Sequence, residues 1–125
     1  MLKQEMPIFI RTFDFLTWLL PVTNHFPRAH RHTFTCRLLD AAFELREQLE
    51  AANHRLGKQR FAHLQRVDEE LDRVRLYLRL AARWGWLSAG QHQHVARMVT
   101  EIGRLLGGWQ KVTLATESSA SPAKP

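Results

Sequence analysis

The spacing of apolar residues follows a helical period along most of this chain, and no alternating strand pattern interrupts it. In two long stretches the apolar positions step by three and four residues. Such seams are typical of helices that pack side by side at shallow angles. The seam residues are Leu38, Ala42, Leu45, Leu49, Ala52 and Leu56 in one stretch and Leu64, Val67, Leu71, Val74, Leu78 and Ala81 in the other. The sequence therefore predicts an all-α fold.

Proline, glycine and capping residues divide the pattern into helices. Pro27 marks the first turn, and Gly57 and Gly85 are placed as helix stops. Ser88 followed by Gln91 forms a capping box, in which each side chain covers a free backbone N–H. The predicted helices span 6–24, 28–56, 58–84 and 88–112.

Long helices joined by short turns must fold back on their neighbours. We therefore predict an antiparallel up-down-up-down four-helix bundle over residues 1–112. Residues 113–125 are mostly small and polar and include prolines, so we expect them to form a disordered tail.

Two helices carry more apolar surface than one buried face requires. The predicted core face of helix 1 consists of Phe9, Phe13, Leu16 and Leu20. The surplus residues are Phe15, Trp18 and Leu19 in helix 1 and Leu76, Leu80 and Trp84 in helix 3. A surplus of this kind indicates either a subunit interface or a wide core stripe. The sequence leaves both open.

Helix 4 combines an apolar stripe with glycines. The stripe consists of Val95, Met98, Ile102, Leu105 and Trp109. A glycine inside a helix costs about 1 kcal/mol relative to alanine. Gly103 and Gly107 are four residues apart and share a face, so we expect another helix backbone to approach them closely. We expect Trp109, which follows Gly108, to anchor the core, with a subunit interface as the alternative.

The composition is basic, with 18 Lys and Arg against 12 Asp and Glu and a net charge of +6. This balance favours polyanionic partners, most often nucleic acid. The single cysteine, Cys36, forms no intrachain disulfide and fits a reducing cytoplasm. The apolar run over residues 8–20 contains Arg11 and Asp14 and is too short to span a bilayer. We therefore expect a cytoplasmic protein without a membrane partner.

The titratable residues form no recognisable catalytic or metal motif. His30 and His32 are two residues apart, as are His92 and His94, so each pair diverges on a helix. The predicted bundle would bring both pairs and His25 to one end, but no carboxylate accompanies them. Phosphate-binding glycine loops, nucleophile elbows and zinc-protease motifs are absent from the sequence. We predict no enzyme activity, no metal and no cofactor.

The arginines carry the most informative pattern. Residues 25–37, which read HFPRAHRHTFTCR, hold three histidines and three arginines without an acid. Farther along, Arg75, Arg79 and Arg83 recur every fourth residue and would form a slowly turning ridge on a helix. The planar guanidinium group binds phosphate or carboxylate through two hydrogen bonds. Such runs are usually solvated faces, but the excess of +6 cannot all be neutralised internally and favours a binding surface.

Three stretches together resemble the accessory variability determinant (Avd) proteins of diversity-generating retroelements. They read LLPVTNHFPRAH, VRLYLRLAARW and EIGRLLGGWQKV, and they occur in order over roughly residues 6–112. The family lies within a wider group of bacterial four-helix-bundle proteins related to those encoded in 23S rRNA intervening sequences. The resemblance implies a basic, non-catalytic bundle that assembles into a pentameric, barrel-like ring. It also implies binding to the element's reverse transcriptase and to template-repeat RNA, possibly also DNA, in support of mutagenic retrohoming.

By position, the resemblance assigns binding roles to arginines in all three stretches. Arg75 and Arg79 match the paired arginines of the third-helix motif, and Arg104 matches the arginine of the last-helix motif. Arg28 matches the basic residue after the turn proline. Arg31 and Arg83 extend the two clusters. This chain departs from the family at residues 30–32, which are His-Arg-His where lysine or glycine is more usual.

Two other functions fit the same residues. One is a general RNA-binding bundle of the 23S intervening-sequence type that works without a polymerase. The other is an adaptor that binds only protein, through an acidic partner surface.

Overall fold

The structure, a computed structural model, describes residues 6–120 of the chain and the side chains of residues 6–116. The four long helices are α1 (Pro7–Thr23), α2 (Cys36–Asn53), α3 (Gly57–Arg83) and α4 (Ala89–Ala120). Over the described range all regular structure is helical, which confirms the predicted all-α class. The sequence predicts one helix over 28–56, but the structure begins that segment with a 3-10 turn (Arg28–His30) and a π turn (Arg31–Thr35). It also ends α2 at Asn53.

Consecutive helices pack against each other, and α1 also packs against α4. The contacts run antiparallel. Phe9, near the start of α1, lies with its ring centroid 6.0 Å from that of Trp109, near the end of α4. Trp18, near the end of α1, lies 5.5 Å from His94, near the start of α4. The two turns α1–α2 and α3–α4 therefore lie at the same end of the molecule.

The predicted seams of α2 and α3 form the centre of the core. All six predicted residues of α3 are buried, and so are all those of α2 except Leu56. Leu56 is 77% exposed because α2 has already ended and Leu56 lies in the following turn. In α4, Val95, Ile102 and Trp109 are buried as predicted, whereas Met98 and Leu105 are only partly buried.

The predicted core face of α1 is wrong for two of its four residues. Phe9 is buried and Leu16 packs against the core while partly buried, but Phe13 is 64% exposed and Leu20 is also exposed. The buried face instead consists of Ile8, Phe9, Thr12, Phe15, Leu19 and Thr23. Two overlapping apolar stripes share this helix, and periodicity alone cannot choose between them.

The buried stripe of α1 was not recognised in the sequence because it contains a polar residue, Thr12. Its hydroxyl donates a hydrogen bond to the Ile8 carbonyl at 2.8 Å, so burial leaves it satisfied. The exposed stripe, which we call the outer α1 stripe, consists of Met6, Ile10, Phe13 and Leu20. The surplus on helix 1 is therefore this outer stripe, while Phe15, Trp18 and Leu19 contribute to the core. On α3, Leu80 packs against the core, whereas Leu76 and Trp84 are exposed.

The predicted start of the last helix is confirmed. The Ser88 N–H donates to Gln91 Oε1 at 2.9 Å, and the Gln91 N–H donates to Ser88 Oγ at 3.0 Å. The helix does not end near Val112 but continues to Ala120. Thr113 is buried, and its hydroxyl donates to the Trp109 carbonyl at 2.8 Å, so a threonine extends the core stripe by one more turn. The rest of the predicted tail, 121–125, lies outside the described residues.

Candidate nucleic-acid interface

One end of the bundle is built from two segments that contain no acid. We call it the basic end: residues 24–35, the turn 84–88 and the adjoining ends of α1, α3 and α4. The sequence carries no Asp or Glu over 15–39 or over 73–100. The second of these gaps was missed by sequence reasoning, although a map of the acids along the chain would have found it. Folding places both gaps together, because Trp86 contacts Phe26 and His30 across the end.

The arginines of the basic end have no acidic partner. Within residues 6–116, no carboxylate oxygen lies within 4.0 Å of the guanidinium groups of Arg28, Arg31, Arg37, Arg79, Arg83 and Arg97. All six are exposed. Uncompensated cations attract anions over several ångströms, and exposed guanidinium groups bind phosphate directly.

A groove of about 270 Å³ runs between α3 and α4 beside this end. Arg75, Arg79 and His92 line it with polar nitrogen atoms, and Leu78 and Val99 contribute apolar wall. No acid lines the groove. Its volume and its donors suit a phosphate group, and no carboxylate oxygen lies within 4.0 Å of the Arg79 guanidinium among the described side chains.

Arg75 is less available than Arg79. Its Nη1 donates to Asp72 Oδ1 at 2.9 Å, and its guanidinium lies across α4 at Gly103. A Cβ on Gly103 would lie 2.6 Å from Arg75 Nη2, so a larger residue here would displace the tip of this flexible arginine side chain. The expected approach of a helix backbone is therefore wrong at Gly103. At Gly107 an added Cβ would meet nothing within 4 Å.

Arg104 lies apart from the other predicted arginines, about four turns along α4 from the Ser88 cap. Its guanidinium makes two hydrogen bonds to the Glu101 carboxylate, at 3.0 and 2.7 Å. These bonds lower the pKa of Glu101 and raise the pKa of Arg104 from their usual values. Of the six predicted binding residues, the structure brings Arg28, Arg31, Arg79 and Arg83 together at the basic end. Their binding role remains a prediction.

The histidines of this end do not converge on one point. His30 stacks on Trp86 with a centroid distance of 5.5 Å and an interplanar angle of 18°. His94 packs against Trp18, and His92 lies in the α3–α4 groove. Among the residues that the structure describes, no group of three or more His, Cys, Asp or Glu side chains comes close enough to hold a metal ion.

Sequence reasoning also missed an aromatic cluster that joins the two turns. Phe34, from the π turn, contacts Tyr77, Trp84 and Trp86 with centroid distances of 5.2–5.5 Å. Phe26 adds contacts to Phe34 and Trp86. The residues come from four separate segments of the chain, so their spacing in the sequence gave no signal. The cluster fixes the basic arginines of one turn relative to those of the other.

Comparison with known proteins agrees with this architecture. No helix in the described part of the chain is long and apolar enough to cross a bilayer. No protein of curated function matches the chain. A family model described as bAvd-like matches residues 6–113, which confirms the resemblance seen in the sequence. Because the match spans the four-helix core, the chain belongs to the bAvd-like family, the bacterial Avd proteins.

Proposed function

We propose that this chain is a non-catalytic accessory protein of a diversity-generating retroelement, which binds the element's reverse transcriptase and its template-repeat RNA. Membership of the bAvd-like family implies the accessory role. The observation that carries the binding proposal is the basic end, where two acid-free segments meet. There the protein would hold RNA for mutagenic cDNA synthesis and retrohoming.

Electrostatics support RNA as the partner of the basic end. Phosphate groups along an RNA strand bind arginines by paired, charge-assisted hydrogen bonds and release counterions when they do so. Arg28, Arg31, Arg79 and Arg83 are exposed and have no carboxylate within 4.0 Å among the described side chains. Contacts of this kind read the backbone rather than the sequence, which suits a protein that must hold a template throughout copying.

Assembly is proposed to use a different surface, the outer α1 stripe. Met6, Ile10, Phe13 and Leu20 are between 38% and 64% exposed and lie on one side of α1. A monomer gains nothing from an apolar stripe in water, whereas a homo-oligomer buries it. The stripe supports a homo-oligomer of the pentameric, ring-like kind that the family resemblance implies.

A general RNA-binding role without a polymerase is the second candidate, because the same basic end supports it. The two functions differ in whether the polymerase contacts this protein directly. An adaptor that binds only an acidic protein would instead leave unrelated RNA unbound at every salt concentration.

Co-purification tests the proposed function. The protein is tagged, expressed with the reverse transcriptase encoded beside its gene, and recovered after nuclease treatment and a high-salt wash. We expect the polymerase to be retained, since a direct contact survives both steps. Recovery that depends on intact RNA would make RNA the bridge, and absence of the polymerase under both conditions would leave the general RNA-binding role.

A further inference from the structure

The aromatic cluster at the basic end encloses an open pocket of about 430 Å³, which we call the aromatic pocket. His30, Thr33, Phe34, Trp84 and Trp86 line it. Phe34 is buried, Trp86 is partly buried and Trp84 is 50% exposed. The volume falls within the roughly 300–1,000 Å³ of pockets that bind small organic groups. An indole this exposed beside a pocket presents a flat apolar face to solvent.

Backbone geometry fixes the two tryptophans. The Trp86 N–H donates to the Ala81 carbonyl at 2.8 Å, and the Gly85 N–H donates to the Ala82 carbonyl at 3.1 Å. These two bonds form a Schellman motif, which needs a left-handed residue, and Gly85 has φ of +80°. Trp84 and Trp86 are thereby held with centroids 5.0 Å apart. The pocket wall is preorganised and does not have to form on binding.

Three arginines lie close in the chain to residues that line the aromatic pocket, although none of the three lines it. Arg83 adjoins Trp84 in the chain, Arg31 adjoins His30, and Arg28 lies two residues before His30. Each of these arginines is exposed and has no carboxylate within 4.0 Å over residues 6–116. A flat apolar face bordered by phosphate-binding groups matches one chemical unit, a base attached to a sugar–phosphate backbone.

We propose that the aromatic pocket takes an unpaired base of single-stranded RNA, which stacks on Trp84 while the neighbouring phosphates meet Arg28, Arg31 and Arg83. The inference rests on the proposed RNA-binding function and makes it specific for single strands. In an RNA duplex the base faces are buried against each other, so only an unpaired base reaches the indole. The positive charge near the pocket favours a polyanionic occupant over a second copy of this basic chain, whose net charge is +6.

The test compares Trp84→Ala and Trp84→Phe with Leu56→Ala, a control that shortens an exposed apolar side chain in the turn at the opposite end. The probe is a short single-stranded RNA with one 2-aminopurine, whose fluorescence falls on stacking, together with the same strand annealed to its complement. Stacking on an aromatic side chain contributes about 1–3 kcal/mol per base, so Trp84→Ala should weaken single-strand binding roughly 5- to 150-fold and abolish the quenching. Trp84→Phe should retain most of both, and Leu56→Ala should match the parent protein.

Each other result has a distinct meaning. If Trp84→Ala weakens duplex and single-strand binding equally, or changes neither, the base-stacking proposal fails while the proposed function stands. If the parent protein binds no RNA at all, the proposed function fails with it. If Trp84→Ala leaves RNA binding intact but lowers the mass in analytical ultracentrifugation or releases the polymerase, the pocket is a protein interface and the proposal is overturned.

Discussion

The two ends of the bundle are both rich in cations, yet they use them differently. At the opposite end, which includes the α2–α3 turn, Arg60 donates from Nε to the Ala52 carbonyl at 3.0 Å, and its guanidinium lies 5.2 Å from the ring centroid of Trp109. Arg55 donates to the Ala51 carbonyl at 2.9 Å. These arginines add hydrogen bonds to carbonyls in the last turn of α2, where the helix dipole also favours positive charge.

At the basic end no such internal use occurs among the described residues. The guanidinium groups of Arg28, Arg31, Arg79 and Arg83 make no hydrogen bond or ion pair to protein groups within residues 6–116. The comparison shows that an acid-free, arginine-rich stretch has no single meaning. Where a guanidinium group bonds to backbone carbonyls, its charge stabilises the fold, and where it makes no such bond, it remains available to a ligand.

The largest expected effect concerns assembly, which we assign to the outer α1 stripe and to neither end of the bundle. Phe13→Asp places a charge in the outer α1 stripe and should convert the oligomer to monomer. The free energy of unfolding of the monomer should change little, since Phe13 is 64% exposed. Analytical ultracentrifugation measures the mass, with Arg11→Ala as the control, because it lowers the net charge by one at an exposed position of α1 outside the stripe. If the variant stays oligomeric, the outer α1 stripe is not the subunit interface.

Arg60→Ala should destabilise the fold by about 1–2 kcal/mol, because it removes a charged hydrogen bond and a cation–π contact. Chemical denaturation measures this loss, and RNA affinity measured in parallel should stay within about twofold. Lys58→Ala removes the same charge from the same end and should change stability by less than about 0.5 kcal/mol. If Arg60→Ala weakens RNA binding as strongly as the basic-end variants do, the division between the ends is wrong.

Gly85→Ala should cost about 1 kcal/mol, because alanine resists the left-handed backbone that the Schellman motif requires. No steric clash adds to this cost, since an added Cβ would meet nothing within 4 Å. Gly90→Ala, inside α4, is the matched control and should be neutral or stabilising. Thermal unfolding compares the two, and equal effects would mean that Gly85 does not hold the basic end in its shape.

Arg104→Ala should produce the smallest change, with no measurable shift in Tm and less than about a twofold change in RNA affinity. Its guanidinium is already bonded to Glu101, whose lowered pKa keeps that carboxylate ionised below the usual glutamate range. The pair therefore holds at neutral pH and is lost only as the pH falls through that lowered pKa. Glu101→Gln should free the arginine and tighten RNA binding slightly, and an unchanged affinity would show that Arg104 does not reach the RNA.

Much of the fold could be predicted from the sequence because a helix with a single apolar stripe can bury only that stripe. In α3 all six predicted core residues are buried, and the Ser88 cap forms as expected. In α1 two stripes compete, and Thr12 makes the buried one look polar. The outcome depended on which face meets α2 and α4, which local spacing does not contain.

The candidate site was predictable in its charge but not in its geometry. The clusters around Arg28 and Arg79 are visible as sequence patterns, whereas the difference between Arg60 and Arg83 depends on nearby backbone carbonyls. The aromatic pocket depends on a 3-10 turn, a π turn and a glycine turn that meet only after folding.

Salt-dependent RNA binding tests the central claim most directly. The double variant Arg79→Ala, Arg83→Ala is compared with Arg55→Ala, Lys58→Ala, which removes the same charge from the opposite end. Each phosphate contact contributes about 0.7–0.9 to the slope of log affinity against log salt, so the basic-end variant should lower that slope by about 1 to 2. The control should keep the parent slope, and equal slopes in the two double variants would contradict the account.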